Sequence, residues 1–196
     1  MTIVVDDICK NFGDKEVLKN TSLSLACGKI SCIMGVSGIG KTTLANILAG
    51  LIQPDSGKIL WPGEMKVSMV FQEDRLLEWE TALTNTLLVV DNSQKKIAID
   101  MLTKAGLSDS VYKKAAKLSG GMKRRVSICR ALIAPHNFLI LDEPFKGLDA
   151  ETKPKIMDMI KANAKDKYTM CITHDPSEVE YLGGELAPVE FKLEGV

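Results

Sequence analysis

Apolar positions along this chain switch between a period of two and a period near 3.6, so strand and helix segments alternate from end to end. Residues 2–9 (TIVVDDIC) and 21–27 (TSLSLAC) read as strands, with the polar stretch NFGDKE between them as a loop. Residues 29–34 (KISCIM) form a short strand that runs into a glycine-rich turn, Gly35 to Gly40. Leu44, Ile47, Leu48 and Leu51 then recur at i, i+3, i+4 and i+7, which predicts a helix stopped by Gly50 and the Pro54-Asp55 pair. Strands follow at 57–61 and 65–71. From about Thr81 to Lys117 the texture turns helical, with Leu83, Leu87 and Leu88, then Ile97, Met101 and Leu102, at helical spacing. A further helix runs from Ser119 to Ala134, where Pro135 ends it. Phe138 to Leu141 is continuously apolar, as a parallel strand buried on both faces should be. A helix at 151–165, a strand at 168–173 and a short helix at 176–182 complete the alternation. The class is α/β.

Composition narrows the functional classes. The 196 residues suffice for one or two domains with a real core. Lys plus Arg is 25 and Asp plus Glu is 25, a balance that excludes a globally basic nucleic-acid binder. Aromatics at 5% are too few for a single-strand stacking platform. The Lys123-Arg124-Arg125 triplet shares its helix with apolar Val126, Cys129 and Ile133, so it reads as a solvated basic face. Cys9, Cys27, Cys32, Cys129 and Cys171 form no CxxC pair and read as small buried hydrophobes in a reducing compartment. No signal peptide is visible, and no run reaches the ~20 apolar residues of a membrane span.

Three motifs carry chemistry. Gly35-Val36-Ser37-Gly38-Ile39-Gly40-Lys41-Thr42 fits GxxxxGK[ST], the phosphate loop. Its glycines let backbone N–H groups turn around a polyphosphate, and the helix that follows adds its positive end. Lys41 can place an ammonium between the β- and γ-phosphates, and the Thr42 hydroxyl can hold magnesium. Phe138-Leu139-Ile140-Leu141-Asp142-Glu143-Pro144 delivers two carboxylates at the end of a buried strand, where ligands of an open parallel sheet bind. Asp142 suits a water-mediated magnesium contact; Glu143 suits polarising an attacking water. Leu118-Ser119-Gly120-Gly121-Met122 opens the third motif's helix and makes a second anion-binding helix end, or an ordinary N-cap.

At these residues the chain resembles the nucleotide-binding ATPase of the ATP-binding cassette transporters. The ordered match runs from Val4 through Phe12, the phosphate loop, Gln72, LSGG, LDEP and Gly147-Leu148-Asp149 to His174. Val70-Phe71-Gln72-Glu73-Asp74-Arg75-Leu76-Leu77, with Trp79 after it, looks like the importer branch for nitrate, sulfonate and taurine. Met122 stands where the family usually has Gln, and Glu78 and Glu80 bracket Trp79 where related importers often have Pro and Leu.

The resemblance implies a single domain over 1–196: a phosphate-loop (RecA-like) NTPase core with an N-terminal antiparallel β subdomain, together 1–75 and 135–196. A small inserted α-helical subdomain spans about 76–134. It implies ATP and Mg2+ as ligands, with Phe12 stacked on adenine and the loop from Gly35 through Thr43 around the phosphates. Magnesium would be held by Thr42, Gln72 and Asp142. Glu143 would act as general base, with His174, Gln72 and Lys41 as its catalytic companions. Ser119, Gly120 and Gly121 would close over ATP held by a second, head-to-tail subunit, with Asp149 at the seam or as a helix cap. It further implies transmembrane permease subunits docked near the Gln72 loop, a small solute bound elsewhere in the complex, and a cytoplasmic position at the inner face of the cell membrane. A soluble cassette ATPase acting on ribosomes or DNA and a non-hydrolysing regulatory subunit are the competing classes.

Overall fold

The computed structural model describes residues 1–187, so the last nine positions of the expected domain lie outside the described residues. Strands β1 (Thr2–Phe12) and β2 (Lys15–Ala26) form an antiparallel hairpin, and β4 (Ser56–Leu60) pairs with the other edge of β1. The stretch NFGDKE is therefore mostly strand. Only Gly13 and Asp14 turn, with Gly13 at φ 60°, which shortens the expected loop to a two-residue hairpin.

A second sheet is wholly parallel and contains β3 (Ile30–Ile33), β5 (Val67–Val70), β6 (Phe138–Asp142), β7 (Tyr168–Ile172) and β8 (Glu185–Leu186). Its order is β5-β6-β7-β3-β8. The two-residue edge strand β8 has too little pattern to be read in the sequence. In β6 the period-two alternation divides the side chains between two cores. Phe138 and Ile140 join the core shared with the antiparallel sheet, while Leu139 and Leu141 join the core under the helices. Helix α1 (Lys41–Leu48) lies in the first core through Leu44, Ala45, Ile47 and Leu48. It ends before Leu51, which is 58% exposed rather than a core position, because Gly50 turns the chain at φ 73°.

The segment read as helical from 81 to 117 is broken into α2 (Ala82–Leu87), α3 (Lys95–Lys104) and three single 3-10 turns. Thr81 caps α2 by accepting from the Thr84 N–H at 3.0 Å. Helix α4 (Gly120–Ile133) packs on this segment from one side and on the parallel sheet from the other. That position overturns the solvated basic face. Arg124 and Arg125 are 3% and 8% exposed, and their guanidiniums spend their donors on backbone carbonyls. Lys123 pairs with Glu78 at 2.9 Å. Helices α5 (Thr152–Asn163) and α6 (Pro176–Leu182) close the sheet. Cys32, Cys129 and Cys171 are buried as expected; Cys9 is half-buried, and Cys27 is exposed against expectation. Among the described residues, no helix is long and apolar enough to cross a membrane.

His136 sits at the base of α4, its ring between the Ala134 carbonyl at 2.6 Å and Asn163 Oδ1 at 2.9 Å. Burial pushes its pKa below the ordinary 6.5, against the pull of those acceptors. The unfolded chain therefore takes up this proton first, and the stabilisation present above 6.5 is lost as pH falls below it. Urea midpoints at about pH 7.5 and about pH 5.5 should show a smaller acid loss in His136→Gln than in the wild type. Equal losses in the two proteins would refute the assignment.

Candidate active site

Every expected site segment except the signature turn and the Phe12 strand end leaves the C-terminal edge of the parallel sheet. The phosphate loop follows β3, Gln72 lies two residues after β5, Asp142 ends β6, and His174 lies two residues after β7. Since these four strands are neighbours in one sheet, their ends meet in the crevice where open α/β sheets bind ligands. The crevice is a cleft of about 210 Å3, lined from the loop by Ser37, Gly38, Gly40, Lys41, Thr42 and Thr43. Gln72, Asp142, Glu143 and His174 complete it, with Val17 of β2 at its rim.

Local geometry explains the glycine at position 40. It sits at φ 105°, and a Cβ there would lie 2.6 Å from Leu18 Cδ2 and 2.7 Å from the Val17 carbonyl. Only glycine lets α1 start this close to β2. Lys41 is 6% exposed and donates to the carbonyls of Gly35 and Val36, each at 2.8 Å. Burial lowers its pKa while the carboxylates of Glu143 and Asp142 raise it, so the ammonium is a buried cation facing two anions.

Thr42 Oγ1 donates to Asp142 Oδ2 at 2.8 Å. Burial pushes the Asp142 carboxyl above its ordinary range, with Glu143 adding to the rise and Thr42 and Lys41 opposing it. The folded chain holds this proton more tightly than the unfolded one, so stability declines as pH rises from 3.8 through the raised value. At neutral pH the charge is a standing cost. Asp142→Asn should therefore raise the melting temperature in metal-free buffer by about 2–4 °C. A melting temperature equal to or below the wild type would overturn this.

Glu143 adopts φ 46°, a left-handed conformation uncommon for a side-chain-bearing residue. Its Oε1 accepts from His174 Nε2 at 2.9 Å, and Lys146 Nζ lies 3.6 Å from Oε2. The His174 turn is braced from below. Glu178 accepts from Thr173 Oγ1 and pairs with Lys153, which also holds Asp175 at 3.1 Å. The part Lys153 plays in this brace is invisible in the sequence, because only folding brings α5 beside the turn.

Three expected groups stand apart from the cleft. Phe12 is 49% exposed at the end of β1, with Lys10 Nζ 5.6 Å from its ring centre, and does not line the cleft. Ser119, Gly120 and Gly121 open α4 outside it; the Ser119 hydroxyl accepts from the Met122 N–H at 3.3 Å. A Cβ on Gly121 would meet the Gly147 carbonyl at 2.7 Å, which explains that glycine by packing. Asp149 caps α5, accepting from the Thr152 N–H at 2.9 Å and its hydroxyl at 2.9 Å, and those contacts hold its pKa low.

A phosphate loop facing a strand-end carboxylate pair across a parallel sheet, with a helical insertion ending in a glycine-opened helix, defines a phosphate-loop ATPase of the cassette type. The chain belongs to the ABC transporter family, whose model matches residues 18–146. It is an ATP-binding ATPase subunit of that family. It is 35% identical over 97% of its length to the aliphatic sulfonates import ATP-binding protein SsuB 1 of Shouchella clausii, covering 78% of that protein. It is 40% identical over 89% of its length to the bicarbonate transport ATP-binding protein CmpD of Synechocystis, covering 67% of it. Other curated relatives are spanned to between 61% and 82% of their length. The dimeric bacterial ABC transporter cassette MJ0796 superposes with a TM-score of 0.82 at 29% identity, over 91% of this chain and 90% of that one. The α/β phosphate-loop class expected from the motifs is the class observed.

Proposed function

We propose that this chain powers import of a small polar or anionic solute, as one of two ATPase subunits docked head to tail beneath transmembrane permease subunits. One observation carries the reading. The cleft gathers the loop, Gln72, Asp142, Glu143 and His174, while the glycine-opened end of α4 does not line it. Each chain thus presents half of two sites, and a second copy supplies Ser119, Gly120 and Gly121 to the γ-phosphate. ATP is the substrate, with Phe12 at the adenine side and Lys41 on the β- and γ-phosphates.

Glu143 takes the proton of the attacking water, held in place by His174, and Gln72 orients that water. The donor set favours a hard divalent cation. Thr42 and Asp142 offer oxygen ligands 2.8 Å apart, and Asp142 is a buried carboxyl whose ionised form a further positive charge would favour. Thr42, Gln72 and Asp142 would hold Mg2+, which when bound neutralises phosphate charge. Beside the Gln72 loop an open groove of about 400 Å3 is lined by Leu51, Met69, Phe71, Leu88 and Val89. Leu88 and Leu51 are more than half exposed there, and such an apolar groove suits a permease helix. That the relatives named above serve aliphatic sulfonate import and bicarbonate transport, both of small anions, supports the substrate class.

The deciding measurement is steady-state ATP hydrolysis across protein concentration, with magnesium or chelator. Magnesium-dependent turnover rising more than linearly with concentration supports the paired ATPase. ATP binding with no turnover, alone or with permease-containing vesicles, would move the chain to a regulatory role.

A further inference from the structure

Arg124 sits on α4 one turn beyond the signature glycines, and its side chain is 4% exposed. Its guanidinium reaches two loops that are far apart in sequence. Nη1 donates to the carbonyls of Phe71 and, at 3.4 Å, Gln72. Nη2 donates to the carbonyls of Asp142 at 2.7 Å and Glu143 at 2.6 Å, and Nε donates to that of Pro144 at 3.0 Å. Asp74, 3.4 Å from Nη1, is its carboxylate partner. All contacts but that one are to backbone. Neither ammonium nor amide could copy them, since only the planar guanidinium fork offers five N–H donors.

Of the residues so held, Gln72, Asp142 and Glu143 line the cleft at the ends of β5 and β6. Glu143 is the telling case, because its left-handed φ of 46° is not a resting conformation for a glutamate. With its carbonyl tied back to Nη2, its side chain points the other way, into the cleft and onto His174. We propose that Arg124 is a positioning residue for hydrolysis, setting Gln72 and Glu143 from α4 so that a shift of the signature end moves both. This rests on the ATPase reading above.

The test compares kcat and KM for ATP in full-length wild type, Arg124→Gln and Arg124→Lys. Leu102→Ala, a fully buried core position of α3, serves as a destabilised control. Displacing reacting groups by about an ångström costs on the order of 100-fold. Arg124→Gln should lose about 10- to 100-fold in kcat with KM within about threefold, because the phosphate loop is untouched. Arg124→Lys should fall between, and Leu102→Ala should keep kcat at temperatures below its melting point. The proposal is overturned if both Arg124 variants keep kcat within about twofold, if their loss matches Leu102→Ala at equal distance below melting, or if neither variant folds. Absence of turnover in the wild type would instead refute the ATPase reading.

Discussion

Glu143→Gln is expected to abolish steady-state ATP hydrolysis while leaving ATP binding intact. The amide has nearly the same shape as the carboxylate, so it can keep the Arg124 contact to its backbone and still accept from His174 through Oε1. It cannot take a proton from water. General-base catalysis supplies about 100- to 10,000-fold, and the expected loss in kcat lies in that range. Replacing the carboxylate also removes a negative charge from a cleft that must receive a polyphosphate, so ATP affinity should hold or rise. With closure permitted and hydrolysis blocked, a two-subunit species should accumulate in ATP and magnesium, visible by light scattering on a size-exclusion column. Turnover within about fivefold of wild type would remove Glu143 from the role of base.

Lys41→Ala should act at the opposite end of the cycle. The Lys41 ammonium is buried against the Gly35 and Val36 carbonyls and interacts electrostatically with the Glu143 and Asp142 carboxylates. Without it the phosphates lose a charge-assisted contact worth about 1.5–3 kcal/mol and meet Asp142 and Glu143 with less compensation. ATP affinity should fall about 100-fold, as read by isothermal titration at fixed magnesium. Lys41 lowers the Asp142 pKa, so its removal lets that carboxyl rise further and weakens any cation held there. A change in affinity of less than about threefold would show that the backbone N–H groups of the loop suffice.

The contrast between Arg124 and Lys41 shows where sequence reading stops. Lys41 is legible because its partners are local: the glycines before it and the helix after it are written in one octapeptide. Arg124 is not, because its partners are backbone carbonyls 18 to 53 positions away, and a carbonyl has no residue type to recognise. A basic triplet on an amphipathic helix reads as solvent-facing unless the helix is known to pack on two sides. Asp149 shows the reverse limit: its cap on α5 is local, while any seam role needs a second chain.

By itself the sequence determined the α/β alternation, the phosphate loop, the carboxylate pair at the end of β6 and the helix start at Ser119, since each is a short-range pattern of spacing and conformational preference. The parallel strand order that gathers Gln72, Asp142, Glu143 and His174 beside the loop was decided only in three dimensions. So were the burial of Arg124 and Arg125 and the brace beneath His174. Contacts between segments tens of residues apart depend on which strands become neighbours, and local spacing carries no record of that choice.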